Sequence, residues 1–292
     1  MRSYSINRSN KSSNHFILFL ILNLSLFIGC TIAILYIFYK EKTNKNNNVK
    51  EPFVIIDTLS SDYDIVVVSS HYKESYNWLM TNKLPVALCS KTLDSPLCPN
   101  NVNKGREATA YLKFIIENYE RLPNHIAFIH GHENAWHQKL CTANKKSIFD
   151  LIECAKYKEY EFISLNFNYI DDRNDKNKVF QLLTNLWETL FEPFLFRKAP
   201  TRTYHDCCAQ FIVSKARIRK LPRKAYETWY NYIIEKDKID DGGFKIGMAF
   251  EYIWHIIFGE PDVVDPLEHS KQFDMKCKLN FDLDEWKNPN KK

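Results

Sequence analysis

The segment that most constrains the fold is a short run of β-branched residues, Asp64-Ile65-Val66-Val67-Val68-Ser69-Ser70. A strand with one face in water alternates apolar and polar residues, whereas an unbroken β-branched run is typical of a strand that is covered on both faces. Strands of this kind belong to parallel sheets with helices packed on each side. The run therefore predicts an α/β fold.

Other short apolar runs alternate with helical segments along the chain. In the segment 105–119 apolar residues recur at helical spacing after Asn103, which is a favourable N-cap residue. The order strand, helix, strand implies parallel pairing with right-handed crossovers. We therefore expect a mostly parallel, Rossmann-like sheet flanked by helices, with strands at 64–71, 84–89, 125–130 and 208–213. Further helices are predicted at 179–190, 223–235 and 247–258.

Residues 16–39 form a run of 24 positions without a charged side chain. As an α-helix this run would be about 36 Å long, enough to cross a hydrocarbon core of about 30 Å. Lys40 and Lys42 follow directly, which is unlike a cleaved signal peptide and predicts an uncleaved signal anchor. The lipid bilayer is thus an expected partner, and the protein is expected to be single-pass. Basic residues flank both ends of the anchor, so its orientation stays open.

Composition divides the chain into five segments. The formal net charge is +5, but residues 1–50 alone hold seven Lys or Arg and one Glu, which leaves 33 basic and 34 acidic side chains in the rest. A folded part with balanced charge is not expected to bind nucleic acid. Richness in Lys, Asn, Ile and Tyr indicates an AT-rich genome, such as that of a protist or a large DNA virus. The expected location of the anchor is therefore an endomembrane or a viral or host membrane. We predict a polar N-terminal tail at 1–15, the transmembrane anchor at 16–39, a linker at 40–60, a globular α/β domain at 61–262 and a C-terminal tail at 263–292.

Seven of the eight cysteines lie beyond the predicted anchor. Cys89 and Cys98 could close a short loop, but the odd number and the adjacent Cys207-Cys208 do not form a recognisable disulfide framework. We expect Cys207 and Cys208 to be buried small apolar residues rather than nucleophiles.

Polar side chains follow directly at the carboxyl ends of two predicted strands. The strand at 125–130 ends in His130-Gly131-His132-Glu133, and the first strand ends in Ser70-His71. In open α/β sheets, ligands bind just outside the carboxyl ends of the strands. We therefore expect Ser70, His71, His130 and His132 to lie together near the start of the 105–119 helix.

The residue types at these strand ends suggest two kinds of chemistry. His132 and Glu133, with Glu251 from the predicted helix at 247–258, are candidate acid–base groups. His130, His132 and His137 are candidate ligands of a metal ion, because neutral imidazole binds transition metals well. The alternative is that some of these histidines cap a turn or hydrogen-bond within the fold.

The segment Asn103-Lys104-Gly105-Arg106-Glu107 enters the 105–119 helix. Lys104 and Arg106 would lie beside the unpaired N–H groups of a helix N-terminus, a combination that favours phosphate. We therefore assign Lys104, Arg106 and Glu107, with Ser70 and His71, to the binding of a phosphate-containing cofactor. The alternative is an ordinary helix start whose charges are solvated.

Several sequence blocks together resemble one protein family. The blocks are 67–74 with Trp78-Leu79, 103–107 with Tyr111-Leu112, 128–132 with Trp136-His137, 207–214 and 251–259. In order and wording they resemble the uncharacterised family called domain of unknown function 3431, over about residues 64–260. This family has no established reaction that the resemblance could transfer to the chain.

A remoter similarity is to nucleotide-sugar glycosyltransferases of the GT-A fold. It implies a GT-A-like sheet, a nucleotide sugar bound against the first strand and its following loop, and a divalent metal ion at the end of a later strand. The metal motif of that family is Asp-x-Asp, whereas the corresponding strand end here is His130-Gly131-His132. Imidazole suits zinc or another transition metal better than magnesium or manganese.

Three functions are compatible with these patterns. The first is a membrane-anchored, glycosyltransferase-like protein that acts on a nucleotide-sugar donor and a glycan acceptor. The second is a metal-dependent hydrolase, which needs the ring nitrogens of His130, His132 and His137 at about 2.0–2.1 Å from one ion. The third is a non-catalytic membrane module that binds glycan or protein in a polar groove. The positions of the side chains at the strand ends discriminate between them.

We predict that the full-length protein stays in the membrane pellet after extraction with alkaline carbonate, because the uncharged run at 16–39 is long enough to span a bilayer. A variant that lacks residues 16–39 should move to the supernatant. Release of the full-length protein by carbonate would show that the run does not anchor the chain.

Overall fold

The computed structural model describes residues 55–60, 62–133, 147–167, 169–172, 178–235 and 243–274. The predicted anchor at 16–39 lies outside these residues. Among the helices of the described part, none is long and apolar enough to cross a membrane.

The described residues form a mixed α/β fold around a five-stranded sheet with the order β2-β1-β3-β7-β4. Strand β1 pairs in parallel with β2 and β3, and β7 lies antiparallel between β3 and β4. The expected mostly parallel sheet is thereby confirmed. A second sheet consists of β5 and β6 alone. The strands are β1 (Ile65–His71), β2 (Val86–Ser90), β3 (His125–His130), β4 (Phe162–Ser164), β5 (Tyr169–Asp172), β6 (Thr203–Asp206) and β7 (Phe211–Ser214).

The last predicted strand, at 208–213, differs from the structure in its start and its direction. Strand β7 begins only at Phe211, because Cys208 and Ala209 have left-handed backbone φ angles of 79° and 47° that a strand cannot contain. Phe211 pairs with Phe128, near the end of β3, so β7 runs away from the edge where β3 ends. The turn before β7 therefore lies at the same edge as His130.

The helices surround the sheet. They are α1 (Ala108–Asn118), α2 (Ile148–Cys154), α3 (Lys178–Leu186), α4 (Glu192–Leu195), α5 (Lys215–Ile218), α6 (Arg223–Glu235), α7 (Phe244–Glu251), α8 (Trp254–Ile257) and α9 (Pro266–Lys271). A π-helical turn, Trp187–Phe191, joins α3 to α4.

Two helices differ from the sequence prediction. Helix α1 begins at Ala108 rather than at Gly105, because Gly105 and Arg106 have left-handed φ angles of 61° and 52°. The helix predicted at 247–258 is interrupted at Tyr252 and Ile253 and forms the two helices α7 and α8. Helix α9 lies in the segment that the sequence assigned to a C-terminal tail, and its His269 is buried and donates a hydrogen bond from Nε2 to the Ser164 carbonyl at 2.8 Å.

The sheet is apolar on both faces, as the β-branched run predicts. Val66 and Val68 of β1 pack into one core cluster, together with the buried side of α1. Ile65 and Val67 point the other way and pack into a second cluster that includes residues of α2. Alternate residues of one strand thus belong to two cores, which is the period expected of a strand between two layers.

Gly131 is required by the close approach of β1 and the end of β3. A Cβ atom at this position would overlap the backbone oxygen of Ser70 and lie 3.0 Å from Cα of His71. The backbone on both sides belongs to paired strands, so it has little room to adjust.

We predict that Gly131→Ala lowers the free energy of unfolding by about 1–3 kcal/mol, the usual cost of an overpacked site. The measurement is urea denaturation of the folded domain. Glu133→Ala, at an exposed position two residues away, should stay within about 0.5 kcal/mol of the wild type. Equal stability of all three proteins would show that the two strand ends are farther apart than described.

Candidate functional site

A cleft of about 470 Å³ lies at the carboxyl ends of β1 and β3. This volume is in the range of pockets that hold small molecules and cofactors. Six of the residues singled out from the sequence line it together: Ser70, Arg106, Glu107, His130, His132 and Glu251. The juxtaposition expected from parallel strands therefore occurs for Ser70, His130, His132 and Arg106, with Glu107 beside them. Glu251 joins them from a helix whose position the sequence did not predict.

Three other residues singled out from the sequence do not line the cleft, and the position of a fourth is not described. His71 is buried between β1 and β2, where Nδ1 lies 2.9 Å from the Ser90 hydroxyl and Nε2 donates to the Glu74 carbonyl at 2.8 Å. Lys104 donates to the Ile234 carbonyl at 3.0 Å, at the end of α6. Glu133 is exposed beyond the cleft, and His137 lies outside the described residues.

The turn at Gly105 and Arg106 is held by helix α7. A Cβ atom on Gly243 would lie 2.8 Å from the Gly105 nitrogen, and one on Gly247 would lie 2.8 Å from the Gly105 carbonyl group. Only glycine permits this approach, so the turn and α7 pack backbone against backbone. The packing brings Glu251, the last residue of α7, to the turn that carries Arg106.

Arg106, Glu107 and Glu251 form a charged cluster on one wall of the cleft. Arg106 Nη1 lies 2.8 Å from Glu251 Oε1, and Arg106 Nε lies 3.8 Å from Glu107 Oε2. Both carboxyl groups are buried, and they hydrogen-bond to each other. Two buried carboxyl groups that hydrogen-bond to each other cannot both be ionised without a large cost in free energy, so they share a proton.

The environment raises the pKa of both carboxyl groups. Burial is the main cause for Glu251, the nearby Glu107 carboxyl adds to it, and together they raise the pKa of Glu251 to about 8. Burial also raises the pKa of Glu107, against the opposing effect of the Arg106 guanidinium. A buried carboxyl group whose pKa is raised to about 8, as for Glu251, can give or take a proton during a reaction.

Lys91 is the second cation of the cleft, and the sequence analysis did not identify it. Its ammonium donates to the Arg106 carbonyl. Burial lowers the pKa of Lys91 to about 8, while the Glu107 and Glu74 carboxyls act in the opposite direction. Lys91 follows β2 directly, so the rule that pointed to the ends of β1 and β3 would also have found it.

His130 is buried at the end of β3 and stays neutral. Its pKa is lowered to about 3, mainly by burial and in addition by the charge of His132. Nε2 lies 2.7 Å from the Cys208 carbonyl oxygen, which can only accept, so this nitrogen carries the proton. Nδ1 lies 4.0 Å from Glu107 Oε2.

The described residues do not fit a metal ion held by His130 and His132 together. Their rings stack with an interplanar angle of 13° and centroids 5.2 Å apart, so the in-plane lone pairs do not converge on one point. The described part of the chain contains no group of three His, Cys, Asp or Glu side chains that could hold a metal. The proposed ligand set with His137 stays a prediction.

Two pairs of cysteines form disulfides, although the sequence pattern by itself did not indicate a disulfide framework. Cys89 and Cys98 form a disulfide across the loop that they were expected to close. Cys207 and Cys208 are buried, as predicted, but they are bonded to each other, and Cys208 lines the cleft. The sequence placed residue 208 inside a strand and therefore did not predict that Cys208 borders the cleft.

The interruption between α7 and α8 separates Glu251 from His255. Glu251 borders the cleft and also a second, smaller cavity of about 40 Å³. His255 borders only this second cavity, where its ring stacks on His205 at 4.8 Å. Glu251 and His255 are both buried, so they do not form an exposed pair along one helix.

The chain belongs to the family described as protein of unknown function (DUF3431), whose sequence model matches residues 66–273. The match covers more than half of the chain and includes every residue that lines the cleft. No curated protein and no solved structure matches the chain.

We predict that Glu251→Gln makes stability less dependent on pH in the alkaline direction. In the wild type the folded protein keeps a proton on Glu251 that the unfolded chain releases above its ordinary pKa of 4.5. The stability contributed by this group is therefore full below pH 4.5 and is lost as the pH rises through about 8.

The measurement is the melting temperature of wild type, Glu251→Gln and the exposed control Glu133→Gln from about pH 6 to about pH 8.5. Wild type and the control should lose several degrees more than Glu251→Gln over this range. Equal losses in all three proteins would mean that Glu251 is already ionised in the fold.

Proposed function

We propose that this protein is a membrane-anchored, glycosyltransferase-like enzyme that transfers a sugar from a nucleotide-sugar donor to a glycan acceptor. The observation that carries the proposal is the buried Glu107–Glu251 carboxyl pair beside Arg106 and Lys91 in one cleft. An acid–base pair and two cations are the groups that this transfer requires from a protein.

The cations suit the diphosphate of a donor. Arg106 and Lys91 approach the cleft from the turn before α1 and from the end of β2. A guanidinium and an ammonium in a partly buried site bind phosphate oxygens more strongly than they would in water.

The carboxyl pair suits the acceptor. In the proposed reaction the acceptor oxygen bonds to the anomeric carbon, and the bond from that carbon to the diphosphate oxygen breaks. The pair holds one proton, so its ionised carboxylate accepts the acceptor proton, and the leaving nucleoside diphosphate takes its negative charge to Lys91 and Arg106. A base with a pKa near the working pH is the most effective one for this step.

The stacked rings of His130 and His132 favour this proposal over the metal-dependent hydrolase, because they do not converge on one ion. A groove that only binds a glycan has no need of two buried carboxyl groups, because burying them costs stability. The membrane anchor at 16–39 is part of the proposal and rests on the length of the uncharged run.

We predict that Lys91→Ala weakens binding of the matching nucleotide sugar by about 10- to 100-fold, because a hydrogen bond to a charged group contributes about 1.5–3 kcal/mol. The measurement is calorimetric titration of the detergent-solubilised full chain with a panel of nucleotide sugars and nucleoside diphosphates. Lys104→Ala is the matched control, since its ammonium is bonded to Ile234 outside the cleft and its loss should leave the affinity unchanged.

Glu251→Gln should bind the same donor with an affinity close to that of the wild type but lose sugar transfer, because glutamine cannot exchange a proton with Glu107. If no nucleotide sugar or nucleoside diphosphate in the panel binds to the folded wild type, the proposed function is wrong. Binding that Lys91→Ala and Lys104→Ala weaken equally would place the diphosphate elsewhere.

A further inference from the structure

The turn between β6 and β7 forms one wall of the cleft. Its first two residues are joined by the Cys207–Cys208 disulfide, and Cys208 and Ala209 have left-handed φ angles. Residues other than glycine adopt this conformation rarely, and two in succession need support from their surroundings. Sequence reasoning found no role for the adjacent cysteines, and the proposed reaction does not use them.

This turn holds His130 at two points. The Cys208 carbonyl accepts the hydrogen bond from the His130 ring at 2.7 Å, and Gln210 Oε1 accepts from the His130 backbone N–H at 3.2 Å. The hydrogen bond to Gln210 involves only the His130 backbone, which strand β3 already holds in place. The hydrogen bond to the Cys208 carbonyl is the one that involves the ring. Its direction determines which ring nitrogen carries the proton.

The other supports of the turn act beyond Cys208. The Tyr111 hydroxyl donates to the Ala209 carbonyl at 3.0 Å. The Asn166 amide donates to the Gln210 carbonyl at 3.3 Å. The disulfide is the covalent restraint on Cys208 itself. Its eight-membered ring includes the N–Cα bond of Cys208, so it limits the φ angle of 79° that places the Cys208 carbonyl group.

We propose that the Cys207–Cys208 disulfide is a positioning element of the cleft: it orients the Cys208 carbonyl toward His130, and thereby keeps the imidazole proton on Nε2 and the acceptor lone pair on Nδ1, the nitrogen beside Glu107. This inference deepens the proposed function, since a neutral acceptor nitrogen next to the carboxyl pair is suited to orient a sugar hydroxyl.

The tautomer can be measured without knowledge of the donor. In protein labelled with ¹⁵N at histidine, long-range proton–nitrogen correlation spectra distinguish a protonated from an unprotonated ring nitrogen, and His130→Gln assigns the signal. The wild type, purified without reductant, should show His130 as a single neutral tautomer with the proton on Nε2.

The test compares Cys207→Ala/Cys208→Ala with the matched control Cys89→Ala/Cys98→Ala, which removes the disulfide between strand β2 and the loop that follows it. The first variant should show both neutral tautomers of His130. The control should keep the wild-type pattern. Donor affinity should fall roughly tenfold in the first variant alone.

A folded Cys207→Ala/Cys208→Ala protein that keeps the wild-type His130 spectrum would overturn the inference and leave the disulfide with a purely structural role. Alkylation of Cys207 and Cys208 in native protein purified without reductant would overturn it as well. A changed His130 spectrum with no nucleotide sugar bound by the wild type would support the inference and contradict the proposed function, so the two can fail separately.

If the double alanine variant does not fold, dithiothreitol provides the second measurement. The reagent transfers two electrons and two protons, so the sulfur–sulfur bond of Cys207–Cys208 breaks and the reagent's own disulfide forms. Cys89→Ala/Cys98→Ala is the protein to treat, because that disulfide is already absent. Loss of the single tautomer on reduction, reversed on reoxidation, is the expected result, and an unchanged spectrum after complete reduction would contradict the inference.

Discussion

Burial of the central sheet on both faces is the constraint that places every polar group of the cleft. Val66 and Val68 pack into one core and Ile65 and Val67 into the other, so the strand offers no water-exposed face for polar side chains. Such groups can lie only where the strands end. The parallel order of β2, β1 and β3 then places three strand ends at one edge, which is why Lys91, Ser70 and His130 line one cleft.

The charged wall of the cleft depends on backbone packing rather than on the strands. Gly243 and Gly247 allow α7 to lie against the left-handed turn at Gly105, and this contact brings Glu251 to Glu107. Burying two carboxyl groups costs free energy, and Arg106 offsets part of that cost. Buried carboxyl groups with raised pKa values are common at functional sites, so this arrangement is consistent with a functional use.

The turn before β7 completes the cleft and links it to the core. Its residues are bonded to β3 through His130, to α1 through Tyr111 and to the β4 side through Asn166. Because β7 runs antiparallel to β3, this turn lies at the edge where β3 ends. The Cys208 carbonyl group, which lies in the turn between β6 and β7, thereby determines which nitrogen of the His130 ring carries the proton.

Local pattern in the sequence was sufficient to predict the α/β class, the strands near β1, β2 and β3, helix α6, and the meeting of Ser70, Arg106, Glu107, His130 and His132. Burial follows from runs of apolar residues, and parallel pairing of β1 to β3 from the helical segments between them. Strand direction is not encoded in such runs, so β7 and the position of Cys208 could be obtained only from the tertiary structure. The same holds for Lys104 and His71, whose side chains turn to partners distant in the chain, Ile234 and Ser90. The raised pKa values of Glu107 and Glu251 likewise arise from a contact between residues far apart in sequence, and only the packing of α7 on the turn before α1 creates it.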